Sequence, residues 1–144
     1  DRAMGLAEVD FRVFEMAGQL LIREGKIEQG IERYEQAAKV SPRDAGTIYA
    51  DLAAALAARN DPKLNPRIEQ ALAAAGNADP PNLDALFALG QSHAAAGRQE
   101  GRQYLQRFVD LSMKLPEERR DSVKIRLAKQ MIRALDALKE IDGK

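Results

Sequence analysis

The sequence has no cysteine, no tryptophan and a single histidine. Without cysteine there is no disulfide, no thiolate metal site and no cysteine nucleophile. Aromatic residues make up 5% and β-branched runs are scarce, so little favours a sheet. Basic and acidic side chains balance at 22 each. A general nucleic-acid binder normally carries a basic excess, so no nucleic-acid partner is expected. No stretch approaches the roughly 18 apolar residues of a membrane span, and no direct span is expected. What the chain has in quantity is Leu, Ala, Glu, Lys, Arg and Gln, the strong helix formers. Its 144 residues suffice for one continuous core without staples, and the expected fold class is all-α.

The chain is internally repetitive. Over residues 11–42, Phe14, Ala17-Gly18 and Leu21 recur at helical spacing, and Gly25 breaks the pattern. A second helical stretch carries Gly30, Tyr34 and Ala37 before Ser41-Pro42. The small residues let two antiparallel helices approach closely, while Phe14, Leu21 and Tyr34 supply bulk between them. A second unit opens with Tyr49, Leu52-Ala53 and Leu56. Asn65 is expected to cap its second helix, with Pro66 in the first turn, Ile68, Ala71 and Leu72 buried, and Gly76 at its end. The third unit shows Asn82 as a cap, Leu86, Leu89-Gly90 and a turn at Gly97. Gly101, Leu105, Phe108, Val109 and Met113 then lead to Pro116.

These units resemble the tetratricopeptide repeat, a 34-residue helical hairpin. Phe14, Ala17-Gly18, Leu21, Gly30, Tyr34, Ala37 and Pro42 fill its bulky, Leu-Gly, Tyr, Ala and Pro places. Gly18, Ala53 and Gly90 fall at intervals of 35 and 37 residues. The resemblance implies a single domain over 1–144, a right-handed α-solenoid of three antiparallel helix hairpins at about 7–42, 45–78 and 82–115. A long capping helix at about 117–141 is expected to bury the last repeat's open face through Val123, Leu127, Met131, Leu135 and Leu138. Leu6, Val9 and Val13 place the start of the first helix before Phe11, with residues 1–4 frayed.

In the family, the first helix of each repeat lines a concave groove. Carried over by repeat position, this gives Arg12, Glu15, Gln19 and Arg23, then Thr47, Ala50, Ala54 and Ala58, then Asp84, Phe87, Gln91 and Ala95. Each set steps along one helix face. The implied function is a protein–protein interaction or scaffold module that takes a helical or apolar peptide segment into an Ala-rich trough. The alternatives are that the alanines only serve helix packing, or that this is a regulatory or self-assembly domain of a larger enzyme, signalling or envelope-assembly protein. Some family members hold a C-terminal carboxylate with Lys and Asn. Glu15, Ala50 and Phe87, with Gln19, Ala54 and Gln91 one turn on, are not such a set.

No enzymatic chemistry is expected. His93 stands where the repeat pattern often places Tyr and is read as a structural imidazole, because no oriented nucleophile or metal partner accompanies it. There is no His pair, no calcium-type loop and no Gly-rich phosphate loop, so no cofactor or metal is expected. Glu28, Glu32 and Glu35 read as a solvated face. The excess of Lys114, Arg119, Arg120, Lys124, Arg126, Lys129 and Arg133 over Glu117, Glu118 and Asp121 reads first as a solvated helix surface, and second as a docking patch for an acidic protein, an anionic membrane or RNA. The opening Asp1-Arg2-Ala3-Met4 suits a fragment of a larger or anchored protein. Cytoplasm and periplasm stay equally open, and a monomer or weak self-association is expected.

Overall fold

The computed structural model describes residues 10–143. The readings at residues 1–4, Leu6 and Val9 lie outside them. Among the described residues there are seven α-helices, three short 3-10 turns and no strand. The helices are α1 (Phe11–Arg23), α2 (Ile27–Val40), α3 (Ala45–Ala57), α4 (Asn65–Gly76), α5 (Leu83–Ala95), α6 (Glu100–Met113) and α7 (Ser122–Asp142). The chain forms two compact units, the first ending at Asn82 and the second beginning at Leu83.

In the first unit α1 packs on α2 and α3 on α4, and α3 also lies against both α1 and α2. Its core gathers Ile22, Ile31, Tyr34, Ile48, Leu52 and Leu56. In the second unit α5 pairs with α6, and α7 packs on both. Its core is built on Leu86, Phe87, Leu105, Phe108, Ile125 and Leu135. Both units are therefore helix on helix, each with a core supplied by the apolar stripe of its helices.

One device makes the first and third hairpins alike. Where α1 crosses α2, a Cβ on Gly18 would lie 2.8 Å from the Gly30 carbonyl oxygen. Where α5 crosses α6, a Cβ on Gly101 would lie 2.9 Å from the Gly90 oxygen. Each hairpin thus brings backbone against backbone, a spacing that side chains forbid. The intervening turns match too. Gly25 and Gly97 have φ of +86° and +70°, the left-handed region where a side chain is strained. Lys26 N donates to Leu21 O, and Arg98 N donates to His93 O, both at 2.9 Å, closing each helix end in a Schellman pattern.

The second hairpin is entered differently from expectation. Asn65 is not a cap; its φ and ψ are −52° and −44°, already helical. Asp61 acts earlier, its Oδ1 accepting from Lys63 N at 3.0 Å to start the 3-10 turn Pro62–Leu64. That turn runs straight into α4, with Asn65 N donating to Pro62 O. The physical reason is order along the chain: an Asp-Pro pair nucleates the turn before Asn65 is reached.

The last helix also buries a different face. Ile125, Ala128, Ile132 and Leu135 are in the core, whereas Val123 is 53% exposed, Leu127 40% and Leu138 41%. Met131 packs at the core's edge. Of the expected stripe only Leu135 is fully buried. The helix carries two apolar stripes at helical spacing, and α5 and α6 select the one that includes Ile125 and Ile132. Asp121 caps this helix, accepting from Lys124 N at 3.0 Å. Asp121→Ala is expected to lower stability by about 1 kcal/mol, read as a shift in the urea midpoint at unchanged slope.

Candidate functional site

The first-unit residues read from the repeat pattern fall mainly on α1 and α3. Arg12, Glu15 and Gln19 from α1, Ala54 from α3 and Ala58 just past its end line one groove of about 410 Å³. Met16, Tyr34, Asp51 and Ala55 complete it. Arg23 lies on an adjoining groove of about 370 Å³ with Gln19, Ala55 and Ala58. Arg59 Nη1 donates to Arg23 O at 2.9 Å, which ties the end of α1 to the end of α3. Thr47 is exposed and Ala50 half-buried on α3, away from this groove.

The second-unit residues behave differently. Phe87 is 6% exposed, its ring 5.2 Å from that of Phe108. It belongs to the core of its unit and does not present an open ring, which corrects the sequence reading. The Lys124 ammonium sits 5.4 Å from the Phe87 ring centroid and reaches Asp84 Oδ1 at 3.1 Å, so Asp84 is engaged at the start of α7. Gln91 and Ala95 are exposed on α5. His93 is buried and stacks on Tyr104, with ring centroids 5.5 Å apart.

Within the first-unit groove the floor and the edge differ in chemistry. Ala54, Ala55 and Ala58 carry nothing beyond Cβ, which leaves room over α3 for a partner's bulk. Met16, 64% exposed, is a flexible apolar wall. The edge holds two carboxyl groups: Glu15 from α1 and Asp51 from α3. Burial raises the Glu15 pKa from 4.5 to about 7, helped by the hydrogen bond it shares with Asp51 and by the charges of Asp51 and Asp44, against the opposing pull of Arg12. The pair thus favours the protonated Glu15 carboxyl, which in that form can donate to Asp51. No donor reaches the buried Glu15 Oε2. Below the pair, the Tyr34 phenol is pushed up to about 12, first by burial and then by the charges of Glu15 and Asp51.

Asp51 and Tyr34 carried no site signal in the sequence. Asp51 reads as one charge on an Ala-rich helix, and only the apposition of α1 and α3 sets it beside Glu15. Tyr34 reads as packing bulk, which it is, while also closing the groove's base.

Among the described residues no cluster of His, Asp or Glu is arranged to hold a metal ion, and no helix is long and apolar enough to cross a membrane. Comparison with family models, with curated proteins and with solved structures gave no match.

Proposed function

We propose that this chain is an interaction module of tetratricopeptide-repeat type, a right-handed α-solenoid whose first-unit groove takes a helical or apolar segment of a partner polypeptide. The observation that carries this is the groove between α1 and α3: an alanine floor beside Met16, rimmed by Arg12, Glu15 and Gln19. An apolar floor with few polar groups at its rim suits a helix laid in a groove. Seating a Leu- or Phe-sized anchor there contributes about 1.5–3 kcal/mol, while Gln19 and the carboxyl pair fix orientation through hydrogen bonds. Binding is at equilibrium, without turnover. The matched glycine crossings and Gly25 and Gly97 turns of the first and third hairpins support the repeat reading.

A display library of amphipathic helical peptides tests the groove. Wild type is expected to enrich peptides that Ala54→Arg binds at least about tenfold more weakly, a difference of roughly 1.4 kcal/mol. Circular dichroism would show that the variant keeps its helices. Equal binding by both proteins sinks the groove reading.

Self-association is a second reading, favoured by one observation. Val13, Met16 and Leu20 follow one another at helical spacing on α1 and are 60%, 64% and 52% exposed. Such a stripe ordinarily meets a partner surface. Light scattering that stays monomeric across a concentration series would remove this reading.

A further inference from the structure

The second unit contains a cationic groove that is independent of the first-unit site. Of the cations between Lys114 and Arg133, Lys114 and Arg119 stand outside this groove, and Arg120 and Lys124 are engaged by the fold. Arg120 Nε donates to Leu115 O, and its Nη2 donates to Met113 O, both at 2.9 Å. Arg120 therefore satisfies carbonyls at the end of α6. Lys124 is held by Asp84.

Arg126, Lys129 and Arg133 have no such engagement; none forms an ion pair among the described residues. All three are exposed. On α7 they stand at i, i+3 and i+7, on one face, spanning about 10 Å of helix axis at 1.5 Å per residue. Cations on a helix surface usually find acids three or four residues away. Here those positions hold Ser122, Val123, Ile125, Gln130, Ile132, Ala137 and the cations themselves. The one acid within that reach is Asp136, and Arg102 Nε already holds it at 2.7 Å. The repulsion among the three is thus left without a counter-charge from their own helix.

These side chains line a groove of about 540 Å³ together with Met113 and Ile125. Met113 is 45% exposed and Ile125 buried, so the cations rise over an apolar floor. Glu117, the one acid on the groove's wall, makes no ion pair with them.

We infer that this groove binds an acidic segment of a partner polypeptide, whose carboxylates, one to two helical turns apart, meet Arg126, Lys129 and Arg133 while an apolar residue packs on Met113. Two arginines suit carboxylates because each guanidinium can donate to both oxygens of one group in a forked pair. The concave setting favours a polypeptide over a bilayer. The exposed apolar residues a membrane would take, Val123, Leu127, Leu138 and Ile141, lie on another face of α7, so a flat surface engages one stripe or the other. Nucleic acid is disfavoured by the short cation row and the balanced charge of the chain.

The test uses the full chain and four probes: a labelled amphipathic peptide rich in Glu, its Gln counterpart, poly(U), and vesicles of phosphatidylcholine with phosphatidylserine. The Glu peptide is expected to bind at least tenfold more tightly than the Gln peptide, and to weaken as salt rises. Arg126→Glu/Arg133→Glu is expected to lose at least tenfold, with Arg126→Gln/Arg133→Gln losing less. Helix content by circular dichroism accompanies each variant, and if the charge reversal unfolds, the Gln pair alone carries the comparison. Equal affinity for Glu and Gln peptides, wild-type binding by a folded variant, or binding confined to vesicles or poly(U) would each overturn the assignment. Ala54→Arg is expected to leave Glu-peptide binding unchanged, which separates this groove from the first-unit site.

Discussion

Gly18→Val is expected to cost the first unit about 3 kcal/mol or more and to separate α1 from α2. A Cβ at residue 18 meets the Gly30 carbonyl oxygen at 2.8 Å and the Tyr34 ring at 2.7 Å. The ring alone could rotate away, but the carbonyl is backbone and moves only if the helix moves. Overpacking a well-fitted contact typically costs about 1–3 kcal/mol, and this one adds displacement of the buried Tyr34 and Ile22 on either side of the crossing. Urea unfolding followed by circular dichroism reads the loss as a lower midpoint. Gly97→Ala is the contrasting variant. No atom lies within 4 Å of its Cβ, so the only cost is the left-handed backbone, about 1 kcal/mol. If Gly18→Val proved no worse than Gly97→Ala, the close crossing of α1 and α2 would be refuted.

Glu15→Gln is expected to stabilise the protein at pH 8 and to leave it nearly unchanged at pH 4. Folding raises the Glu15 pKa from 4.5 to about 7, so the fold favours the protonated carboxyl. The stability this contributes is fully present below pH 4.5 and is lost as pH rises through 7, where the carboxylate must ionise beside Asp51. A full shift of this size corresponds to roughly 3 kcal/mol. Solvent screening at a partly exposed groove reduces this to about 1–2 kcal/mol. Glutamine keeps the shape and a donor for Asp51 while removing the titration. Wild type is therefore expected to lose stability between pH 5 and 8 relative to Glu15→Gln, measured by urea midpoints across that range. Parallel pH profiles for the two proteins would show that the pair does not share a proton.

Local chemistry was legible in the sequence wherever one residue decides the backbone. Gly25 and Gly97 mark their turns because only glycine takes positive φ without strain. Pro42 and Pro116 follow the second helices of the first and third hairpins because proline cannot continue a helix. Composition and periodicity sufficed for an all-helical chain. The phase of the last helix was not legible. Its two apolar stripes have the same spacing, and periodicity does not say which one α5 and α6 will cover.

Site residues divided along the same line. Arg12, Glu15, Gln19, Ala54 and Ala58 line one groove, and helix spacing by itself sets the first three on one side of α1. Phe87 could not be placed: whether a ring faces solvent or core depends on Phe108, 21 residues away, and on the close approach of α5 to α6. The Glu15–Asp51 pair likewise exists only where α1 lies against α3. Arg126, Lys129 and Arg133 became distinct from their basic neighbours only in three dimensions, where Arg120 and Lys124 are engaged and Lys114 and Arg119 stand outside the groove. The sequence by itself determined the helices and their turns, through backbone preference and short-range periodicity. Tertiary packing alone decided which apolar stripe is buried, which carboxyl has its pKa raised by burial and which cations stay without a counter-charge, because each depends on groups that meet only across helices.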